Sequence, residues 1–140
     1  MRHLKNKSGF TLLEIIIVII IVGVLASLAL PRFFSTVEFS KSTEAFTSLT
    51  AVRQALERCY LQNSGNYANC TNWNNLDVEN PQNSPNAHFT YGITVGNATG
   101  YTVVATRTTL DGGQTTSTIT LIQTSTLVTR SGAGAFLAIK

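Results

Sequence analysis

Charged side chains are scarce in this 140-residue chain: Asp, Glu, Lys and Arg together make up 12% of it, beside two histidines, two cysteines and three prolines. So thin a supply of titratable groups argues against an enzyme, because acid–base and nucleophilic catalysis need convergent groups within hydrogen-bond reach. Past the first nine residues the one histidine is His88, and the acids Asp77, Glu79 and Asp111 are scattered. No nucleophile–base spacing links them, and no cofactor is implied. Metal chemistry is also poorly served. Cys59, Cys70 and one histidine do not complete a tetrahedral set. Asp111 is the only acid after Glu79, too few for an oxygen cage around calcium.

A basic folded domain is missing as well. The net charge of +3 and the pI near 9.1 suggest one, but Arg2, Lys5 and Lys7 account for the whole excess. From Phe10 onward seven Lys and Arg face seven Asp and Glu. Arg107, Arg130 and Lys140 are the only basic residues after Arg58. A phosphate track needs a positive field from the folded domain itself, so the composition argues against nucleic acid as a partner.

What is present is a long apolar run. Ile15 to Leu30 carries no charge, and Phe10 to Leu30 contains only Glu14. Twenty-one helical residues at about 1.5 Å each reach roughly 31 Å, the thickness of a bilayer's hydrocarbon core. The run reads as a membrane span, and the basic cluster before it should stay cytoplasmic, sending the rest of the chain across. A secretory signal would be shorter and followed by a small-x-small site. Here the small pair Ser8-Gly9 comes first. A plain signal anchor is the alternative, and it leaves Glu14 without a reason.

The stretch KSGFTLLE, Lys7 to Glu14, resembles the processing site of type IV pilins and the related pseudopilins. The likeness is strong from Lys7 to about Leu61 and only architectural beyond. It implies cleavage by a prepilin peptidase between Gly9 and Phe10, N-methylation of Phe10, and an α+β pilin fold. In that fold a long N-terminal helix packs on a C-terminal antiparallel sheet of three to four strands. The implied role is that of a major-type structural subunit of a type IV pilus, held in the inner membrane and then polymerised into an extracellular filament for adhesion, twitching motility or uptake. The implied partners are copies of the chain and an inner-membrane platform driven by a cytoplasmic ATPase. A minor pilin that binds DNA or a surface, and a pseudopilin of a type II secretion system, are the alternatives.

Physical chemistry bears on Glu14 independently. A carboxylate in hydrocarbon costs several kcal/mol unless it is paired or reaches the interface. Cleavage after Gly9 would leave an ammonium on Phe10, and the amine of an adjacent copy could neutralise Glu14, setting the register of incoming subunits. The simpler reading is a side chain that snorkels to the interface. Gly23 and Pro31 are the helix-weakening positions. Pro31 removes the amide partner of the Ser27 carbonyl, which predicts a kink nearby; the resemblance implies loss of helicity there within a filament.

After Pro31 the pattern becomes periodic: Phe34, Val37, Ala45, Leu49, Val52, Leu56 and Cys59 recur at helical spacing. The helix is predicted from about Phe10 to Gln62, stopped by Asn63-Ser64-Gly65. Residues 63–87, rich in Asn and proline, read as an irregular loop over which Trp73 and Leu76 tuck inward. Cys70 lies in it, eleven residues after Cys59; outside the inner membrane a disulfide is expected, and two free buried thiols are the alternative. From His88 the period switches to two. Strands are predicted over 88–95, 101–106 and 116–123, with a fourth at either 127–129 or 136–139, and Gly132 to Ala135 as a turn. The expected organisation is therefore a leader over 1–9, a membrane or filament-core helix over 10–30, its amphipathic continuation over 31–62, the loop over 63–87 and the sheet over 88–140. The triplets at Asn69 and Asn97 match glycosylation acceptors, a weak signal in so Asn-rich a chain.

Overall fold

A computed structural model describes residues 9–140; Arg2, Lys5 and Lys7, with most of the predicted leader, lie outside the described residues. Helix α1 spans Leu12–Gln62 and takes in both Gly23 and Pro31 without a break in helical structure, so the kink predicted near Ser27 does not appear as an interruption. The Ser27 hydroxyl donates to the Val24 carbonyl at 2.8 Å. The chain divides into two compact units, residues 1–36 and residues 37–140. In the first, the side chains of Phe10 to Leu30 are exposed apart from a half-buried Ala26. Most of that stretch belongs to α1, the one helix among the described residues long and apolar enough to cross a membrane.

In the second unit, α1 meets a four-stranded antiparallel meander in the order β1-β2-β3-β4, made of Phe89–Asn97, Gly100–Arg107, Thr118–Gln123 and Val128–Ala133. The helix buries Ser42, Ala45, Leu49, Val52, Ala55, Leu56 and Cys59. Against them lie the inward residues of alternate strand positions: Phe89 and Tyr91 of β1, Tyr101, Val103 and Ala105 of β2, Ile119 and Leu121 of β3. Register pairs Val103 with Leu121 and Leu121 with Arg130, so one face of the meander points at the helix from edge to edge. The opposite face carries the threonines that the strand pattern placed toward solvent.

Three expectations change. Phe34 and Val37, predicted in the buried stripe, are exposed at 64% and 38%. The stripe instead continues from Ala45 back through Ser42 to Glu38 at spacings of three and four. The fourth strand runs through Gly132 and Ala133, which were predicted as a turn, because the β-pairing of Ile119 with Gly132 extends the ladder. Residues 136–139 form no strand: Phe136 is buried and Ile139 accepts from the Gly132 amide at 3.1 Å. A side chain at Gly132 would overlap the Phe136 carbonyl, which explains the glycine there.

The loop after α1 is ordered by asparagine. Asn72 and Asn80 cap short 3-10 turns, accepting from the amides of Asn74 and Gln82. Ser64 and Gly65 take positive φ, ending the helix where the sequence placed its stop. Cys59 and Cys70 form the expected disulfide, beneath an amide donated by Asn63 to the Cys59 carbonyl at 2.9 Å. Leu76 is buried and Trp73 packs against the core.

Candidate assembly site

At the start of α1, Thr11 is the residue that caps the helix. Its hydroxyl accepts from the Glu14 amide at 3.2 Å, so T-x-x-E forms half of a capping box with Glu14 in the first turn. A carboxylate there is favoured by the helix dipole, which pulls negative charge toward the N-terminus. This gives Glu14 a local reason that the sequence reading missed, although the spacing was visible in Thr11-Leu12-Leu13-Glu14. The cap engages the backbone and leaves the carboxylate exposed. No cation among the described residues lies within ion-pair distance of it. Gly9 has open space around it, and Phe10 is 80% exposed. The predicted junction thus lies four residues before the predicted acid, just ahead of α1, and both are exposed. Gly23 is likewise surrounded by open space, so a close helix approach at that position has room.

The second unit holds a polar cluster that composition alone did not reveal. Arg107 ends the inward row of β2 and is wholly buried. Its Nε donates to Glu38 Oε1 at 2.6 Å, and Nη2 reaches Glu38 Oε2 and the Leu110 carbonyl. Nη1 donates to the carbonyls of His88 and Thr108 at 3.1 Å each. All five guanidinium hydrogens therefore have acceptors, the condition for burying such a charge. Beside it, His88 Nδ1 lies 2.7 Å from Glu44 Oε2 and Nε2 lies 2.9 Å from Asp111 Oδ2, while Lys41 approaches Asp111 at 3.5 Å. The hydrogen bond from His88, then Lys41, hold the Asp111 carboxyl below its ordinary value. The parity of β2 was the available signal: Tyr101, Val103, Ala105 and Arg107 alternate, and an inward arginine demands an acid on the facing helix. Farther along α1, Arg58 grips Asp77 with two hydrogen bonds, lowering that carboxyl too. Burial, then Glu57, push the Tyr67 hydroxyl up to about 12.

Among the described residues no group of three or more His, Cys, Asp or Glu could hold a metal ion. The ionic clusters clip loops to α1.

Comparison with known proteins agrees with this geometry. A family model described as "Prokaryotic N-terminal methylation motif" matches residues 4–30, and one described as "Type IV minor pilin ComP, DNA uptake sequence receptor" matches residues 31–120. The type II secretion system core protein G of Escherichia coli (strain K12) is 41% identical over 63 residues, 45% of this chain and 43% of that protein. Its counterpart in Vibrio cholerae is 36% identical over 64 residues, 46% of this chain and 44% of that protein. The type IV major pilin protein PilA of Myxococcus xanthus is 38% identical over 71 residues, 51% of this chain and 32% of that protein. Each alignment spans less than half the length of the curated relative it matches. No solved structure gives a significant match. A capped apolar helix with its acid in the first turn, continued into a head of α1 and a four-stranded meander and matched by family models from residue 4 to residue 120, means that the chain belongs to the type IV pilin family.

Proposed function

We propose that the chain is a structural subunit of a type IV pilus, anchored in the inner membrane by Phe10 to Leu30 with its head outside the cytoplasm. A prepilin peptidase cuts between Gly9 and Phe10, Phe10 is N-methylated, and the shortened chain polymerises with its apolar helices forming the filament core. The observation that carries this reading is Glu14: a carboxylate without a cation partner among the described residues, in the first turn of an exposed apolar helix. The Phe10 ammonium of a neighbouring copy supplies that cation only after cleavage, so proteolysis licenses assembly. The chain catalyses nothing itself; an inner-membrane platform with a cytoplasmic ATPase extrudes it. Glu14→Ala should leave cleavage after Gly9 intact and abolish surface filaments, read by mass spectrometry of the membrane subunit and electron microscopy of sheared material. Normal filaments in that variant would remove Glu14 from the mechanism.

A second reading has one observation in its favour. The family model covering residues 31–120 is described as a DNA uptake sequence receptor, which fits a minor pilin whose head binds duplex DNA. The neutral charge balance after Phe10 weighs against a long phosphate track. Filaments that bind duplex DNA with an affinity falling steeply as salt rises would establish that role.

A further inference from the structure

Ion pairing in the head leaves a remainder of both signs. Glu38, Glu44, Glu57, Asp77 and Asp111 each meet a cation or the His88 ring. Glu79, exposed on the loop after α1, meets none among the described residues. On the basic side, Lys41, Arg58 and Arg107 are engaged, and Arg53 touches Glu57 only at 3.8 Å. Arg130 and Lys140, both exposed, have no acidic partner among the described residues. Arg53, Arg130 and Lys140 nevertheless share one surface groove of about 420 Å³ with Val128 and Thr129.

The groove also has backbone donors. Strand β4 is an edge of the sheet. The Gly132 amide bonds outward, to the Ile139 carbonyl, so Gly132 is a non-hydrogen-bonded partner of Ile119. Alternation in an antiparallel ladder then turns the amides of Arg130 and Val128 outward as well. No backbone group covers those two among the described residues. The Arg130 guanidinium lies over the Phe46 ring, 5.9 Å from its centroid. Arg53, Arg130 and Lys140 thus line one groove beside the outward amides of Val128 and Arg130, a basic lining of the kind that receives a carboxylate.

We propose that this groove receives the Glu79 carboxylate of a second copy of the chain, making a lateral contact between heads; the inference rests on the filament reading above. The two surfaces are different patches of one molecule, so the contact is heterologous and propagates, as a helical polymer requires. A row of phosphates fits less well. Glu57 stands beside Arg53, and the other cations of the head are neutralised within it, whereas a duplex must displace its counterions at many sites. The contact sets orientation and register more than it adds affinity, since the charges sit at a rim.

The test uses the full-length chain in a cell that assembles it, with Arg130→Glu, Glu79→Arg and the two combined. Each single variant should accumulate in the membrane as cleaved subunit and lose surface filaments; the double variant, with the charges exchanged, should regain them. Arg130→Lys should assemble. Purified wild-type filaments treated with a carbodiimide should give a Glu79–Lys140 amide between subunits, located by mass spectrometry, which needs no variant to fold. Normal filaments from the single variants, or no rescue together with no such cross-link, would overturn the contact. Duplex DNA binding lost in Arg130→Glu while filaments stay normal would also overturn it, by giving the groove to nucleic acid. An unprocessed wild-type chain that never forms filaments would instead defeat the filament reading.

Discussion

Arg107 shows how one residue can fix the geometry of a head. A buried guanidinium is costly unless every hydrogen finds an acceptor, and here Glu38 on α1 supplies the charge while carbonyls of His88, Thr108 and Leu110 supply the remainder. The pair therefore ties helix to sheet at a single axial position. Removing the acid alone leaves the cation stranded. Glu38→Ala is expected to cost on the order of 3 kcal/mol, as removal of one member of a buried pair does, and it should appear as a lower urea midpoint followed by the fluorescence of Trp73. Gly113 belongs to the same arrangement. A Cβ there would collide with the Arg107 guanidinium and the Thr108 carbonyl, so Gly113→Ala should weaken the head by the same readout although its own φ is ordinary.

At the scale of elements, α1 acts as a post to which the connecting segments are fastened one by one. The disulfide and the Arg58–Asp77 pair fasten the loop after α1. His88 and Lys41 fasten the β2–β3 connection through Asp111. Closing an eleven-residue span with Cys59–Cys70 should stabilise the head by about 2 to 3 kcal/mol by restricting the unfolded chain. A reductant should lower the urea midpoint accordingly. The ionic clips bring a pH dependence of definite sign. Asp111 and Asp77 are both held below their ordinary value of 3.8 in the folded head, Asp111 mainly by His88 and Asp77 mainly by Arg58. Their contribution is therefore fully present above 3.8 and fades as pH falls through the lower folded values. Thermal melts across the acid range should show this loss, and the slope should be shallower in Asp111→Asn and in Asp77→Asn.

For the whole molecule, what was legible followed from periodicity. The unbroken apolar run, the stripe from Ala45 to Cys59, the helix stop at Asn63-Ser64-Gly65 and the alternation in β1 and β2 each have a period or a breaker that one residue's neighbours reveal. The fate of residues 128–139 was not legible, because strand β4 is chosen by pairing with β3 and by the space Phe136 fills, both long-range facts. Phe34 and Val37 misled for the opposite reason: they are apolar at helical spacing, yet they lie before the first helix residue that the sheet covers. Glu38 and Arg107 were readable only as a pair. The charge distribution carries a final consequence that one gel can check. Ten basic residues face seven acids in the full chain, and three of the ten, Arg2, Lys5 and Lys7, precede the Gly9–Phe10 junction. The cleavage proposed there would remove the entire excess, leaving seven against seven. The proposed methylation of Phe10 would preserve its positive charge and so would not restore the imbalance. Subunits from sheared filaments should therefore focus near neutrality, well below the precursor's pI of about 9.1. A Gly9 variant that resists cleavage should focus with the precursor, and filament subunits focusing there as well would mean that the basic segment stays attached during assembly.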